Sequence, residues 1–363
     1  MPTDGAANRI LSLDVFRGLT IAAMILVNNP GSWNDVYGPL THAEWNGWTA
    51  ADLVFPFFLF IVGMAIPLSL GTAATRRFAR IARRTALLFA LGLGVNALGG
   101  FEGFATLRIP GVLQRIALCY LAGSLLFLHT GPRAQAVWLV ALLAGYWALL
   151  AFVPIAGHAP GWLDPEHNVT ALVDRQLIGT GHLYRETWDP EGLLSTIPAI
   201  GTTLFGVLAG QWLRSGRVRG STVLGLAAAG VVATAIGLLW DRWMPINKNL
   251  WTSSYVVFTA GVALILYALF YWLIDVRQLR RPFLPLIVFG VNPIAVYVLS
   301  SVGGAVMDEV TIHGVNLRDR ICHASFGGWT SPAAGSLLFA VGYVLLWLAA
   351  MSVLYRRKIF VRI

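Results

Sequence analysis

Leu53-Val54-Phe55-Pro56-Phe57-Phe58-Leu59-Phe60-Ile61-Val62-Gly63-Met64-Ala65-Ile66-Pro67-Leu68-Ser69-Leu70 carries no charged side chain and is about as long as one bilayer crossing. In hydrocarbon every backbone N–H and C=O must find its partner within the chain, so such a segment is a helix or a strand of a closed barrel. Its apolar residues run on without the alternation of a barrel strand, and helix follows. A second apolar segment of similar length, Ile10 to Val27, precedes it. The polar stretch between the two, from Asn28 to Asp52, therefore surfaces at a membrane face.

The whole chain follows this pattern. Hydrophobic residues make up 57% of the 363 and charged residues only 12%, with a mean hydropathy of +0.69. No ordinary soluble domain has that composition. Continuous apolar runs mark ten spans, at roughly 10–28, 50–70, 84–100, 111–128, 136–154, 192–212, 222–241, 255–274, 283–302 and 333–354. The third is the shortest: Thr85 to Leu98 contains Asn96, and Arg83 and Arg84 are expected to snorkel at its start. The expectation is an all-α, polytopic bundle of about ten transmembrane helices, forming a single transmembrane domain over residues 1–363.

A net charge of +9 and a pI near 10 would point a soluble protein toward nucleic acid. Here the basic residues crowd into short loops between spans, which is the signature of membrane orientation, and no nucleic acid is expected. Arg9, Arg76, Arg77, Arg80, Arg83, Arg84, Arg133, Arg214, Arg217, Arg219, Arg277, Arg280, Arg281, Arg356, Arg357, Lys358 and Arg362 fall on one side of a ten-span topology. The longer loops on the other side hold only Arg108, Arg175, Arg185, Arg242, Lys248, Arg318 and Arg320. Both termini are thus assigned to the cytoplasm, and the stretch around His42 faces outward. Asp14 and Arg17 interrupt the start of the first span, and no small-residue cleavage site follows it, so an uncleaved helix is expected. Cys119 lies in a span and Cys322 in a hydrophilic loop, which disfavours a disulfide and gives no hint of redox chemistry.

The chemistry should lie on the outward face. Three outward connections, Asn29 to Thr49, Ala156 to Glu191 and Gly303 to Pro332, are too long to be simple turns. They carry His42, His158, His167, His182, His313 and His323, six of the seven histidines. The first offers an imidazole (His42), carboxylates at Glu44 and Asp52, amides at Asn28, Asn29 and Asn46, and the indoles of Trp45 and Trp48, a kit for proton transfer and for packing on a sugar ring. An imidazole titrating near pH ~6.5 suits a general base, or a transient nucleophile. The plain alternative is a hydrogen-bonded loop histidine.

Asp52 stands close to the start of the second span, where a carboxylate either caps the helix or orients His42. Asp14 and Arg17 are spaced for an intrahelical pair. Arg115, one turn into the fourth span, is a costly intramembrane cation and so a functional candidate. Asn247-Lys248-Asn249-Leu250-Trp251 and Gly290-Val291-Asn292-Pro293 place polar groups at helix ends, and Pro293 should free a carbonyl near Asn292. Gly206 and Gly210 form a small-xxx-small packing pair. No two outward histidines have zinc-like spacing, and no glycine-rich phosphate motif occurs, so no metal is expected.

The run Ser12-Leu13-Asp14-Val15-Phe16-Arg17-Gly18, then Val27-Asn28, then His42-Ala43-Glu44-Trp45-Asn46-Gly47-Trp48-Thr49-Ala50-Ala51-Asp52-Leu53-Val54-Phe55-Pro56, closely resembles the heparan-α-glucosaminide N-acetyltransferase family and its bacterial relatives. The likeness returns in Arg108-Ile109-Pro110-Gly111-Val112-Leu113-Gln114-Arg115, in Asp189-Pro190-Glu191-Gly192-Leu193-Leu194, in Asn247 to Trp251 and around Asn292. The chain is without the large extra N-terminal region of the lysosomal enzymes, so substrate details set there are not carried over.

The resemblance implies transmembrane acetyl transfer, from cytoplasmic acetyl-CoA to the amino group of a glucosamine-type sugar on the opposite, periplasmic side. It implies a multi-pass protein of the bacterial inner membrane, with acetyl-CoA, an amino sugar and the lipid bilayer as partners; the sequence leaves a homodimer open. His42 matches the catalytic histidine and Asn28 an asparagine beside it, with Asp52 as orienting partner. Arg17, Arg115, Asn247, Lys248 and Asn292 are the expected contacts of the cofactor. Glu44, Trp45, Asn46 and Trp48 are those of the acceptor sugar. The rival from another class is a transporter or flippase of a sugar or lipid precursor.

Overall fold

The structure, a computed structural model, describes residues 10–70, 77–98, 103–155 and 157–361. Arg9, Arg76 and Arg362 from the charge count lie outside the described residues. Thirteen α-helices are described, and the only strands among the described residues are a two-residue hairpin, Thr311–Ile312 with Val315–Asn316. The chain is an all-α, polytopic membrane protein. It divides into two units. One runs through Thr41 and adds Val218–Ala228 and the residues from Leu264 onward; the other is His42–Arg217 with Ala229–Ala263.

The His42 unit holds α2 (Val54–Ser69), α3 (Arg77–Asn96), α4 (Val112–His129), α5 (Pro132–Phe152), α6 (Val169–Leu177) and α7 (Thr196–Arg214). It also takes the later turns of α8 (Arg219–Trp240) and the first turns of α9 (Ser253–Phe270). α2 and α7 pack backbone on backbone. A Cβ on Gly63 would stand 2.0 Å from the Thr203 carbonyl oxygen, one on Gly206 would stand 2.0 Å from that of Phe60, and one on Gly210 2.6 Å from that of Met64. The expected pair at Gly206 and Gly210 is therefore a real contact surface, and Gly63 completes it from the facing helix.

The other unit contains α1 (Leu11–Asn28), α10 (Leu284–Val291), α11 (Pro293–Glu309), α12 (Leu317–Phe326) and α13 (Pro332–Arg356). α1 and α10 meet through Gly18, whose Cβ would fall 1.8 Å from the Leu286 oxygen, and Gly290, 1.9 Å from that of Asp14. The Asp14–Arg17 pair forms at 3.3 Å, and Arg17 Nη1 also donates to the Gly290 carbonyl at 3.1 Å. Both cysteines are free and buried.

Among the described residues eight helices are long and apolar enough to cross a membrane, and Arg281–Val291 with Pro293–Glu309, bent by 74°, makes nine if the pair counts as one span. The bend sits where Pro293 cannot donate to the ladder. Against the ten expected spans, the one that does not qualify is α3. Arg77, Arg80, Arg83 and Arg84 occupy its first two turns, which leaves an apolar remainder shorter than a bilayer core. The outward connections expected as loops contain structure of their own: α6 in the second, and the hairpin with α12 in the third.

Candidate active site

Asp52 organises the loop ahead of α2. It lies in the single turn Ala51–Leu53 and is 1% exposed. Its Oδ2 accepts the backbone N–H of Ala43 at 3.1 Å and of Thr49 at 3.0 Å, and the Thr49 hydroxyl at 3.2 Å. Those bonds close residues 43–49 into a loop around one carboxylate. The other oxygen, Oδ1, stands 2.7 Å from His42 Nδ1. An ionised carboxylate only accepts, so Nδ1 is the donor in this bond and Nε2 is the nitrogen not engaged by Asp52. The imidazole side chain is 47% exposed. Asp52 thus holds the imidazole and also folds the loop that carries the ring.

Along this loop exposure alternates: His42, Glu44, Asn46 and Trp48 are exposed, whereas Ala43, Trp45, Gly47 and Thr49 are half-buried. Trp48 keeps 46% of its surface while its ring leans on Phe258, 4.8 Å between centroids. Trp45 is turned inward, its indole N–H donating to the Leu163 carbonyl at 2.7 Å and its ring edge-on to Trp188. That leaves Trp45 as the loop's anchor.

A second loop, between α8 and α9, is pinned to the first. Gly47 N–H donates to the Ile246 carbonyl at 2.8 Å, from a backbone φ of +94° that glycine tolerates. Asn247 Nδ2 donates to Asn46 Oδ1 at 3.1 Å, and Asn247 Oδ1 accepts the Leu250 N–H at 2.8 Å. These bonds deliver Lys248, whose Nζ reaches to 3.6 Å from Asp52 Oδ1. Burial lowers the affinity of Lys248 for its proton, and the carboxylates of Asp52 and Glu191 pull the other way.

Deeper lies an ionic cluster. Arg108 binds Asp189 through two parallel bonds, Nε–Oδ2 at 2.8 Å and Nη2–Oδ1 at 2.7 Å, and reaches Glu191 at 2.6 Å. Burial alone would lower Arg108's pKa, but the two carboxylates raise it. Burial would likewise push Glu191 up, yet Arg108, Arg115 and Lys248 hold it below the usual carboxylate range. Arg115 is 1% exposed; it donates to the Gly192 carbonyl at 3.1 Å and to Ser195 Oγ, and its guanidinium lies 4.9 Å from the Trp251 ring centre. Its Nε and Nη1 have no hydrogen-bond partner among the described residues.

Asp174 accepts the Leu193 N–H at 2.9 Å, and burial pushes its pKa up to about 6 against the pull of that amide, of Leu194 and of Arg115. Asp174, Glu191 and Tyr255, whose hydroxyl donates to the Asp52 carbonyl at 2.5 Å, carried no role in the sequence reading. Glu191 had a signal in the Asp189-Pro190-Glu191 motif; Asp174 had none.

Three expected residues belong to the other unit. Asn28 closes α1 and is exposed, while the neighbouring Asn29 is buried with its amide on the Ile25 carbonyl at 2.9 Å. Asn292 spends both ends of its amide on the C-terminal segment: Nδ2 donates to the Ile359 carbonyl at 3.1 Å and Oδ1 accepts the Val361 N–H at 2.8 Å. Arg17 is held by Asp14 and the Gly290 carbonyl. That unit also has a cavity of about 640 Å³, lined by Asp35, Asp319, Arg320 and His323 among others, which contains none of the expected site residues. Among the described residues no three His, Cys, Asp or Glu side chains are grouped to hold a metal.

The family model described as heparan-alpha-glucosaminide N-acetyltransferase, catalytic, matches residues 9–239. Over 415 residues the chain is 30% identical to the heparan-alpha-glucosaminide N-acetyltransferase of Homo sapiens, an alignment covering 98% of this chain and 60% of that one. With the Mus musculus protein of the same name it shares 30% over 419 residues, 99% of this chain and 61% of that one. The chain spans about 60% of the length of these relatives.

Proposed function

The chain belongs to the heparan-alpha-glucosaminide N-acetyltransferase catalytic family, and from that premise we propose that it is a transmembrane N-acetyltransferase. Acetyl-CoA is the donor and the amino group of a glucosamine-type sugar the acceptor. One observation carries the chemistry: His42 Nδ1 bonded to a buried carboxylate at 2.7 Å, with the ring half-exposed among polar and aromatic side chains.

In this reading the acceptor's sugar ring packs on the exposed face of Trp48, with Glu44 and Asn46 as its polar contacts. His42 Nε2 takes a proton from the amine as its nitrogen bonds to the acetyl carbonyl carbon. The carbon–sulfur bond then breaks, and His42 returns the proton to the departing thiolate. Asp52 holds the ring through both transfers. Asn28, carried by the sequence motif alone, is assigned a hydrogen bond to the thioester oxygen. The two unpartnered donors of Arg115 support its place on the donor side; Asn292 and Arg17, engaged by their own unit, are weaker members of that set.

Both termini facing the cytoplasm requires α3 to cross, with its arginines at the cytoplasmic surface. Placement in a bacterial inner membrane and the arrival of acetyl-CoA from the cytoplasm are parts of the same proposal.

The experiment is to incubate the purified chain with radiolabelled acetyl-CoA and a panel of glucosamine-ended sugars. Label appearing on the sugar nitrogen supports the reading, and no transfer to any of them removes it. A carrier or flippase has no use for the donor, so thermal stabilisation by acetyl-CoA separates that class. Label held on His42 when the acceptor is left out would replace direct transfer by a two-step route.

A further inference from the structure

Lys248 is 15% exposed at its side chain and points its ammonium at the carboxylate oxygen already bonded to His42. Two donors, one imidazole N–H and one ammonium, thus meet on Asp52 Oδ1, while Oδ2 is filled by Ala43 and Thr49. A carboxylate buried from water and left with an imidazole alone strongly favours the imidazolium, because nothing else offsets its charge. A proton acceptor has to be neutral when the substrate arrives. Orientation and basicity therefore pull in opposite directions at His42.

We propose that Lys248 resolves this conflict: it is a positioning residue whose ammonium offsets the charge of Asp52, so that the carboxylate aims His42 without holding it protonated. The inference rests on reading His42 as the proton acceptor. Geometry supports it in two ways. The ammonium is delivered by two pins that fix the residues beside it to the His42 loop, Gly47 N–H to the Ile246 carbonyl and Asn247 Nδ2 to Asn46 Oδ1, while Asn247 Oδ1 braces its own loop on the Leu250 N–H. Asp52 is its ion-pair partner at 3.6 Å; the other carboxylate facing it, Glu191, interacts with it as well but is bound directly by Arg108 at 2.6 Å. Arg115 also faces Lys248 and adds charge of the same sign. On the loop itself, exposed Glu44 is the nearest acidic neighbour of His42 in sequence.

The test reads His42 directly. Diethyl pyrocarbonate modifies only neutral imidazole, and mass spectrometry of the His42 peptide across about pH 5 to 9 gives the midpoint of that one ring in the full chain. Lys248→Gln is expected to move the midpoint upward by about one pH unit, and the acid limb of the kcat/KM profile with it. Lys248→Arg, which keeps the charge, is expected to stay at the wild-type midpoint. Lys248→Met, similar in shape and uncharged, is measured beside Gln and should shift the same way. An unshifted or lowered midpoint in whichever neutral variant remains monodisperse overturns the proposal, as does an Arg variant that shifts like the neutral ones. Modification needs neither acetyl donor nor acceptor, so failure of acetyl transfer would leave this readout intact. An active acetyltransferase with an unshifted midpoint would remove only the role of Lys248.

Discussion

His42 and Asp52 are ten residues apart in the chain and 2.7 Å apart in space, Nδ1 against Oδ1, and the same aspartate closes the loop between them through the backbone of Ala43 and Thr49. One side chain therefore both closes the loop and holds its imidazole.

On the proposed reading, His42→Ala should abolish acetyl transfer, by at least about 10³-fold, in a protein that still folds, because the imidazole is half-exposed. Near-normal turnover in the purified variant would falsify the assignment.

Asp52→Asn should do more than weaken catalysis. An amide has one acceptor oxygen where the carboxylate uses two, so the bonds to Thr49, Ala43 and His42 cannot all survive. Turnover is expected to fall by about 10²–10⁴-fold and the melting temperature to drop as well. A normal melting curve would mean that the loop is held by other contacts.

Asn28→Ala should lower kcat by about 10²-fold with little change in KM for acetyl-CoA, as expected of a group that meets charge developing on the thioester oxygen. The reverse pattern, a raised KM at constant kcat, would move Asn28 from chemistry to donor binding.

Arg108→Ala strands Asp189 and Glu191, 0% and 9% exposed at their side chains, without their counter-charge. A loss of about 3 kcal/mol is expected, recovered only in part by Lys, which cannot make the two parallel bonds to Asp189. Denaturation in mild detergent, compared across the three proteins, checks it; equal stability of Lys and Arg would show that charge alone suffices.

Asp174 sets a pH dependence with a definite sign. Its pKa in the folded chain is about 6, above the ordinary 3.8, so the native state binds the proton more tightly than the unfolded state. Its contribution to stability is complete below about pH 3.8 and is lost as pH rises through about 6. Relative to wild type, Asp174→Asn should therefore gain on the order of 2–3 kcal/mol between those limits and nothing further above them. A difference between the two proteins that stays constant from about pH 4 to 7 would contradict this.

The helical class, most of the spans, the packing glycines of α7 and the pairing of Asp14 with Arg17 were all legible in the sequence, because each depends on residues at fixed spacing within one element. So was the family, since its motifs are continuous runs. The exception within this group is α3, where composition could not say whether a helix with four arginines in its first two turns crosses.

What the sequence could not decide is everything that depends on separate segments meeting. Lys248 and Asn247 were read as cofactor contacts, and only folding shows Asn247 pinned to the His42 loop and the Lys248 ammonium beside the aspartate bonded to His42. Trp45 and Trp48 look alike in the chain, yet one anchors on Leu163 and the other stays open. Asp174 had no motif at all, and its raised pKa comes from burial beside Gly192, whose missing side chain makes room for it. Periodicity and composition record what a segment does alone in a bilayer. Charge offset, burial and exposure are properties of neighbours brought together from distant parts of the chain, and only the tertiary structure specifies those.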